Sequence, residues 1–461
     1  MTRSALPATD TIVAPATPPG EGGIGIVRLS GPQAESQLAA AFRGRTVPAV
    51  MQSHHLYHGR LCRRDGTPID EVLTVIMRAP HSYTGEDVIE VHCHGGNQQL
   101  RSVLDLFLAG GARLARPGEF TQRAFLNGRL DLAQAEAVAA LIGARSDQAA
   151  RAALAQLDGR LSQQLRRFTV ELRELLLLLE AHIDFPDDDL GRLDQSAVTA
   201  RAQAVQVAMT SLLLTFDAGR ALREGVNVLI LGRPNVGKSS LLNALLGEAR
   251  AIVTEIPGTT RDTVEEQLVL GGFPLRLIDT AGVRETRDPI EEEGVRRARE
   301  KAQSADLVLL VLDGGQPLTA EDRMAMALAP AERTVLVRNK SDLPPAIAAG
   351  ELAAFPRQVA VSVRSGSGLD ALQTALIAHF SGAGGGEAAD GVMLSERRHR
   401  DALGAALTAL DRFLAAQAAA DPLECLAFEL REALAELGQI TGETTPDAIL
   451  EQIFSRFCIG K

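Results

Sequence analysis

The sequence predicts a multidomain α/β-plus-α protein. A mixed β/α domain comes first, then a helical domain made of two chain segments, with a doubly wound, parallel-type sheet domain inserted between them. Three observations carry this. Short β-rich runs separated by Gly and Pro (residues 24–29, 72–77 and 88–93) fill the start of the chain. Ala/Leu/Gln/Glu/Arg-rich stretches with apolar residues at helical spacing follow over residues 131–182 and 195–223, and return at 395–437 and 446–457. Between the two helical segments, after residue 223 and before 395, lies Gly232-Arg233-Pro234-Asn235-Val236-Gly237-Lys238-Ser239, which fits G-x-x-x-x-G-K-[ST].

Taken in order, residues 1–127 form the first domain, with one helix expected over residues 98–108. Residues 128–223 form the first helical segment, within which Asp184-Phe185-Pro186-Asp187 stops the helix over 131–182. The inserted domain spans 224–382 and leaves through the flexible run 381–386, rich in glycine. Residues 383–461 complete the helical domain. Among 461 residues, 46% are hydrophobic but only 3% aromatic, so the cores are aliphatic. A net charge of −11 disfavours general binding to phosphate backbones, so a nucleic-acid role needs a local basic surface or a basic partner. The four cysteines (Cys62, Cys93, Cys425, Cys458) show no C-x-x-C spacing, which points to a reducing compartment. A polar, Pro-rich start and an apolar run over 175–179 too short to span a bilayer make the cytoplasm the expectation, with no membrane partner.

In the inserted domain, the apolar run 226–231 reads as a strand and Ser240 onward as a helix, the context a phosphate loop needs. Glycines let N–H groups converge on phosphate oxygens, Lys238 reaches the β- and γ-phosphates, and the Ser239 hydroxyl ligates Mg²⁺. Asp279-Thr280-Ala281-Gly282 follows the strand at 275–278; its carboxylate can hold Mg²⁺ through water and its Gly N–H can report on the γ-phosphate. Asn339-Lys340-Ser341-Asp342 follows the strand at 334–337. Asp342 there accepts hydrogen bonds from guanine N1–H and the N2 amine; adenine lacks both donors and leaves the carboxylate unpaired at ~1–3 kcal/mol. Ser362-Val363-Arg364 is a weaker match to the loop that backs the base. Each motif alone is also a good turn sequence. Four in order, each after an apolar strand, specify a Ras-like GTP-binding domain.

Gly258-Thr259-Thr260-Arg261-Asp262 has the spacing of a switch segment, with Thr260 as a second Mg²⁺ ligand. Val283 stands where many GTPases carry the Gln that orients the attacking water. Glu291-Glu292-Glu293 lies downstream; it reads either as a solvated helix start behind Pro289 or as a functional acid. Asn235 offers a side-chain oxygen for a monovalent cation beside the phosphates.

These residues, with both ends of the chain, resemble the MnmE (TrmE) family of tRNA modification GTPases. The resemblance runs over nearly the whole chain. It includes Asp10-Thr11-Ile12-Val13-Ala14, Ile26-Val27-Arg28-Leu29-Ser30-Gly31, Ser82-Tyr83-Thr84-Gly85-Glu86-Asp87, Arg116-Pro117-Gly118-Glu119-Phe120 and the ending Phe457-Cys458-Ile459-Gly460-Lys461. It implies an N-terminal domain that dimerises and binds a one-carbon tetrahydrofolate (5-formyl- or 5,10-methylene-tetrahydrofolate) through Arg28, Glu90, Arg129 and Lys461. The family usually has Lys at residue 129; Arg keeps the charge and changes the hydrogen-bond geometry. It implies a K⁺ site on Asn235, Thr254, Ile256 and Thr259, Mg²⁺ on Ser239 and Thr260, and Glu291 as the catalytic glutamate. The GTP contacts then extend over Asn235, Val236, Gly237, Lys238, Ser239, Ser240, Thr254, Glu255, Ile256, Pro257, Gly258, Thr259 and Thr260, with the three loops already described. The resemblance implies that K⁺-dependent pairing of G domains takes the place of the missing Gln.

The resemblance also implies a heterotetramer with the FAD-dependent partner MnmG, acting on the wobble uridine of certain tRNAs. Cys458 has two readings: a thiol active in the modification chemistry, or a small apolar residue packed near the folate. Glu90, His92 and His94 alternate on one strand face, as either a metal cluster or a pterin-binding carboxylate with neighbours. A GTP-dependent ribosome-assembly switch of the Era or EngA type is the alternative function, and a GTP-controlled structural scaffold is a third.

Overall fold

The computed structural model describes residues 10–185, 193–248, 267–278, 291–381 and 391–461. Contacts group residues 1–139 with 435–461 as one unit and 140–434 as another; each boundary falls inside a helix.

In the first unit, strands β1 (Ile12–Pro15), β2 (Ile24–Ser30), β3 (Phe42–Gly44), β4 (Leu56–Cys62), β5 (Pro68–Met77), β6 (Val88–His94) and β7 (Arg113–Leu114) form a sheet ordered β3-β4-β5-β6-β2-β1-β7. All its pairs are antiparallel except β1 with β7. Alternation decides its faces. Val27, Leu29, Val72, Ile76, Ile89 and Val91 turn to a core shared with helices α1 (Ala34–Ala41) and α2 (Asn97–Ala109). Ile26, Arg28, Leu73, Val75, Glu90 and His92 lie on the opposite face, where cross-strand pairing sets Arg28 beside Glu90. Helix α3 (Glu119–Leu126) and helix α4 (Leu132–Ile142) follow. Of helices α1 to α4, the sequence predicts α2 and, within 131–182, α4; α1 and α3, at eight residues each, are too short to give a full helical period pattern.

The second unit opens with α5 (Asp147–Leu157) and α6 (Arg160–Asp184). The sequence reads as one helix over 131–182, whereas the structure has three. Ser146 caps α5 by accepting from the Ala149 N–H at 3.1 Å, and Gly159 at φ +82° turns the chain into α6. Helices α7 (Gln195–Leu213) and α8 (Phe216–Glu224) likewise divide the stretch 195–223.

The inserted sheet has strands β8 (Val226–Leu231), β9 (Gln267–Leu270), β10 (Phe273–Ile278), β11 (Leu307–Asp313), β12 (Thr334–Asn339) and β13 (Gln358–Ala360), ordered β13-β12-β11-β8-β10-β9. Only β9 is antiparallel to its neighbour. Both faces are buried: Val228, Ile230, Leu309, Val311, Val335 and Val337 on one side, Leu229, Leu231, Val308, Leu310, Leu312 and Leu336 on the other. That is why these strands read as unbroken apolar runs. Around the sheet lie α9 (Lys238–Glu248), α10 (Glu291–Ser304), α11 (Ala320–Leu328) and α12 (Leu369–Ser381).

The chain enters and leaves the inserted domain side by side. On entry, Arg223 of α8 donates to the Ser395 carbonyl at 3.2 Å and pairs with Glu396 at 2.5 Å, and Gly219 lies directly against the Leu394 carbonyl. Asp306, just before β11, accepts from Arg220 at 3.1 Å and from the Asn227 N–H at 2.9 Å. The chain then continues as α13 (Arg397–Ala418), α14 (Leu423–Thr441) and α15 (Asp447–Phe454). Pro422 and Pro446 stand immediately before the last two; Pro422 divides the stretch that reads as one helical run over 395–437, and Pro446 opens the separate run expected from 446.

Candidate functional site

In the second unit, β8 leads to neighbours on both sides, β10 and β11, so its carboxyl end opens a crevice at the point where the strand order reverses. The phosphate-loop motif occupies that end. Asn235 has φ +64° and Gly237 φ +99°. A Cβ at Gly237 would collide with the Asn339 amide, so the close approach requires glycine. Asn339, buried at the end of β12, donates from Nδ2 to the Val236 carbonyl at 2.8 Å, joining the phosphate loop to the base loop. Its Oδ1 accepts from the Val363 N–H at 3.4 Å, which brings in the third loop.

Lys238 begins α9 and folds over its own loop, donating to the carbonyls of Gly232 at 2.6 Å and Arg233 at 2.9 Å. Burial pushes its ammonium below the usual lysine range, so a bound polyphosphate restores the charge's favourable setting. Ser239 and Ser240 are exposed on the first turn of α9. Asp342 is exposed, and its Oδ1 accepts from the Ser362 hydroxyl at 2.7 Å. That bond holds its carboxyl below the usual range, ready to accept further N–H donors. Arg364 is exposed beside this loop.

Among the described donors, the Ser239 hydroxyl and the Asn235 side-chain oxygen suit Mg²⁺ and K⁺, which take oxygen ligands. Thr254, Glu255, Ile256, Pro257, Gly258, Thr259, Thr260, Asp279, Thr280, Ala281, Gly282 and Val283 lie outside the described residues. Glu291 opens α10; its side chain is likewise outside them.

In the first unit, Arg28 is a hub. It donates from Nε to Glu90 Oε1 at 2.8 Å and from Nη1 to the Gly460 carbonyl at 3.2 Å. Its guanidinium stands over the rings of Tyr83 at 5.5 Å and Phe120 at 5.7 Å. Glu90 Oε2 is 3.5 Å from His92 Nε2, an atom without a hydrogen-bond partner. Glu90 Oε2, the carboxylate oxygen not taken by Arg28, is an acceptor of the kind that paired N–H donors of a pterin ring would need, whereas His92 Nε2 is buried beside it. Arg129 is exposed and donates from Nε to the Ser82 carbonyl at 3.1 Å, beside Tyr83. His94 pairs instead with Asp70 at 2.7 Å, so it departs from the Glu90–His92 pair. No group of three or more His, Cys, Asp or Glu among the described residues is arranged to hold a metal ion.

The C-terminal tail completes this site. Phe454 and Phe457 are buried, with ring centroids 5.6 Å apart, and anchor it. Gly460 at φ +92° presses against the Pro15 carbonyl, where a side chain would collide. Lys461 is partly buried; burial, then the Arg28 charge, lowers its pKa. Cys458 is exposed, and its carbonyl accepts from the Gly118 N–H at 3.4 Å. Arg28, Glu90 and Lys461 thus come together with Tyr83 and Phe120, and Cys458 lies three residues from Lys461 on the same tail. Sequence reading did not single out the two aromatics as a platform, nor Asp313 and Asp322 near the phosphate loop. The available signal for the carboxylates was position alone: Asp313 ends an apolar strand at the sheet's carboxyl edge.

Among the described residues, no helix is long and apolar enough to cross a membrane. The family model described as "MnmE helical domain" matches residues 132–458, and that described as "GTP-binding protein TrmE N-terminus" matches residues 11–129. The tRNA modification GTPase MnmE of Syntrophotalea carbinolica is 55% identical over 453 residues, covering 98% of this chain and 99% of that protein. The proteins of the same description from Geobacter sulfurreducens and Lactiplantibacillus plantarum are 51% and 44% identical, each over 98% of this chain and over 99% and 98% of their own lengths.

Proposed function

Since the chain belongs to the MnmE family of tRNA modification GTPases, we propose that its GTP hydrolysis drives a folate-dependent change at C5 of the wobble uridine of certain tRNAs. The group added is of the carboxymethylaminomethyl type, and the reaction is shared with the FAD-dependent partner MnmG in a cytoplasmic heterotetramer. The observation that carries this reading is the Arg28 hub, where Glu90, the C-terminal tail and two aromatic rings meet in one site. The folate supplies the one-carbon unit. Glu90 would accept from the pterin edge, Tyr83 and Arg28 would border it with Phe120 backing Arg28, and Arg129 and Lys461 would meet negative charge. Cys458 acts on the one-carbon chemistry from the same tail.

At the nucleotide site, water attacks the γ-phosphorus as the bond to the β–γ bridging oxygen breaks, giving GDP and phosphate. Asp342 reads guanine and Lys238 bears on the β- and γ-phosphates. Glu291 orients the water, a role that Val283 cannot fill. Ser239 and Thr260 would hold Mg²⁺; Asn235, Thr254, Ile256 and Thr259 would hold K⁺, which supplies positive charge beside the phosphates when two G domains pair. Homodimerisation through the first domain is supported by Ile24, Leu56 and Leu73, exposed by 62%, 56% and 40% on the open face of its sheet.

Wobble-uridine content of tRNA from a strain lacking this protein tests the proposal. Loss of the C5-modified nucleoside is expected, restored by the wild-type gene and not by Cys458→Ser. Unchanged nucleoside content with altered ribosome profiles would instead favour the assembly-switch reading.

A further inference from the structure

We propose that Asp313 is a positioning residue that locks the guanine-reading loop to the phosphate loop through an alternating chain of charges, Asp322–Arg233–Asp313–Lys340. The inference rests on the reading of Asn339–Asp342 as the guanine loop, and goes beyond it by naming what sets that loop's register.

The chain runs along the carboxyl edge of the inserted sheet. Arg233, inside the phosphate loop, donates from Nε to Asp322 Oδ2 at 3.1 Å and from Nη2 to Gln316 at 2.7 Å. Its Nη2 also lies 3.8 Å from Asp313 Oδ2. Lys340, inside the guanine loop, donates to that same Asp313 Oδ2 at 2.7 Å. One carboxylate oxygen therefore faces cations from both nucleotide loops. The Asp313 and Asp322 side chains are each only 3% exposed. Their other contacts fix them in place. Asp313 Oδ1 accepts from the Gly315 N–H at 3.1 Å, and Asp322 closes a capping box with Thr319 at the start of α11.

Geometry explains why this matters for base reading. Lys340 sits at φ +61°, a left-handed conformation that costs a side-chain-bearing residue energy and persists only when its surroundings hold it. Asp342 is two residues on. Asn339 already joins the two loops through its bond to Val236; the Lys340–Asp313 pair adds a second tie two residues from the guanine-reading carboxylate. Two buried carboxylates alone would repel; Arg233 between them and Lys340 at the end balance the set at zero net charge. The Asp313 backbone pairs with Asn339 in the β11–β12 ladder, but the Asp313 and Asp322 side chains reach the nucleotide motifs through these two cations, so their action on the nucleotide is indirect.

The test uses the full-length protein with Mg²⁺ and compares Asp313→Asn, Lys340→Met and the double variant for GDP, GTP and ITP affinity, with thermal melting alongside. Asp313→Asn keeps the shape and removes the charge. GDP and GTP affinity are expected to fall roughly tenfold together. The preference for GTP over ITP should narrow, since inosine lacks the N2 amine, and KM should rise more than kcat falls. In the Lys340→Met background Asp313→Asn should add little. A purely structural role would lower the melting temperature and leave the GTP/ITP ratio intact, and that result, or additive single effects, overturns the proposal. Should Asp313→Asn fail to fold, Arg233→Lys perturbs the same chain from its other end: a narrowed ratio supports the lock and a wild-type ratio rejects it. Asp342→Asn is the control: if it too leaves guanine preference unchanged, the guanine-loop reading fails, whereas a strong effect there with none at Asp313 rejects only the lock.

Discussion

At Asp342 the carboxylate already accepts the Ser362 hydroxyl through Oδ1 and keeps Oδ2 for a base. That bond holds it ionised well below neutral pH, so it faces guanine as a pure acceptor. Asp342→Asn turns one acceptor into a donor. It should weaken GTP by ~1–3 kcal/mol, and xanthine nucleotides, which carry an oxygen where guanine carries the N2 amine, should gain affinity. Titration of both nucleotides against the variant decides this; GTP affinity equal to wild type contradicts the base-reading role. The motif residues were legible in the sequence because each follows an unbroken apolar run and the run marks a strand's end. Asp313 was not, although it also ends such a run, because its significance depends on Arg233 and Lys340, 80 and 27 residues away in sequence.

Among elements, the C-terminal tail shows where pattern reading stops. The Arg28–Gly460 hydrogen bond joins positions 432 residues apart, and no local periodicity encodes such a contact. Its site residues were reached through family resemblance alone. The helical stretches were visible as helices but not in their lengths, since Gly159, Pro422 and a serine cap divide them at single positions. At Gly460 the backbone is left-handed and the Pro15 carbonyl occupies the space a Cβ would take. Gly460→Ala should therefore displace the tail at a cost of about 1–3 kcal/mol and pull its carbonyl from Arg28. Calorimetric titration with 5-formyl-tetrahydrofolate should show weaker binding; wild-type affinity would mean the tail does not shape that site.

For the molecule as a whole, the proposed activation by paired G domains makes hydrolysis depend on the alkali cation. Replacing K⁺ by Na⁺ at equal ionic strength should slow turnover at least tenfold, in line with the loss of a preorganised positive charge at the γ-phosphate. Steady-state GTP turnover in the two salts measures it, and equal rates exclude the cation. The paired crossings into and out of the nucleotide domain bear on how such an event reaches the rest of the second unit. Arg223 ties the incoming helix to Ser395 and Glu396 of the outgoing strand of chain, and Arg220 fastens the same helix to Asp306 at the sheet's lower rim. A swivel of the sheet therefore cannot pull on one connection while the other stays slack. Both connections are fastened at α8, so any force the nucleotide domain exerted on one would load the other as well.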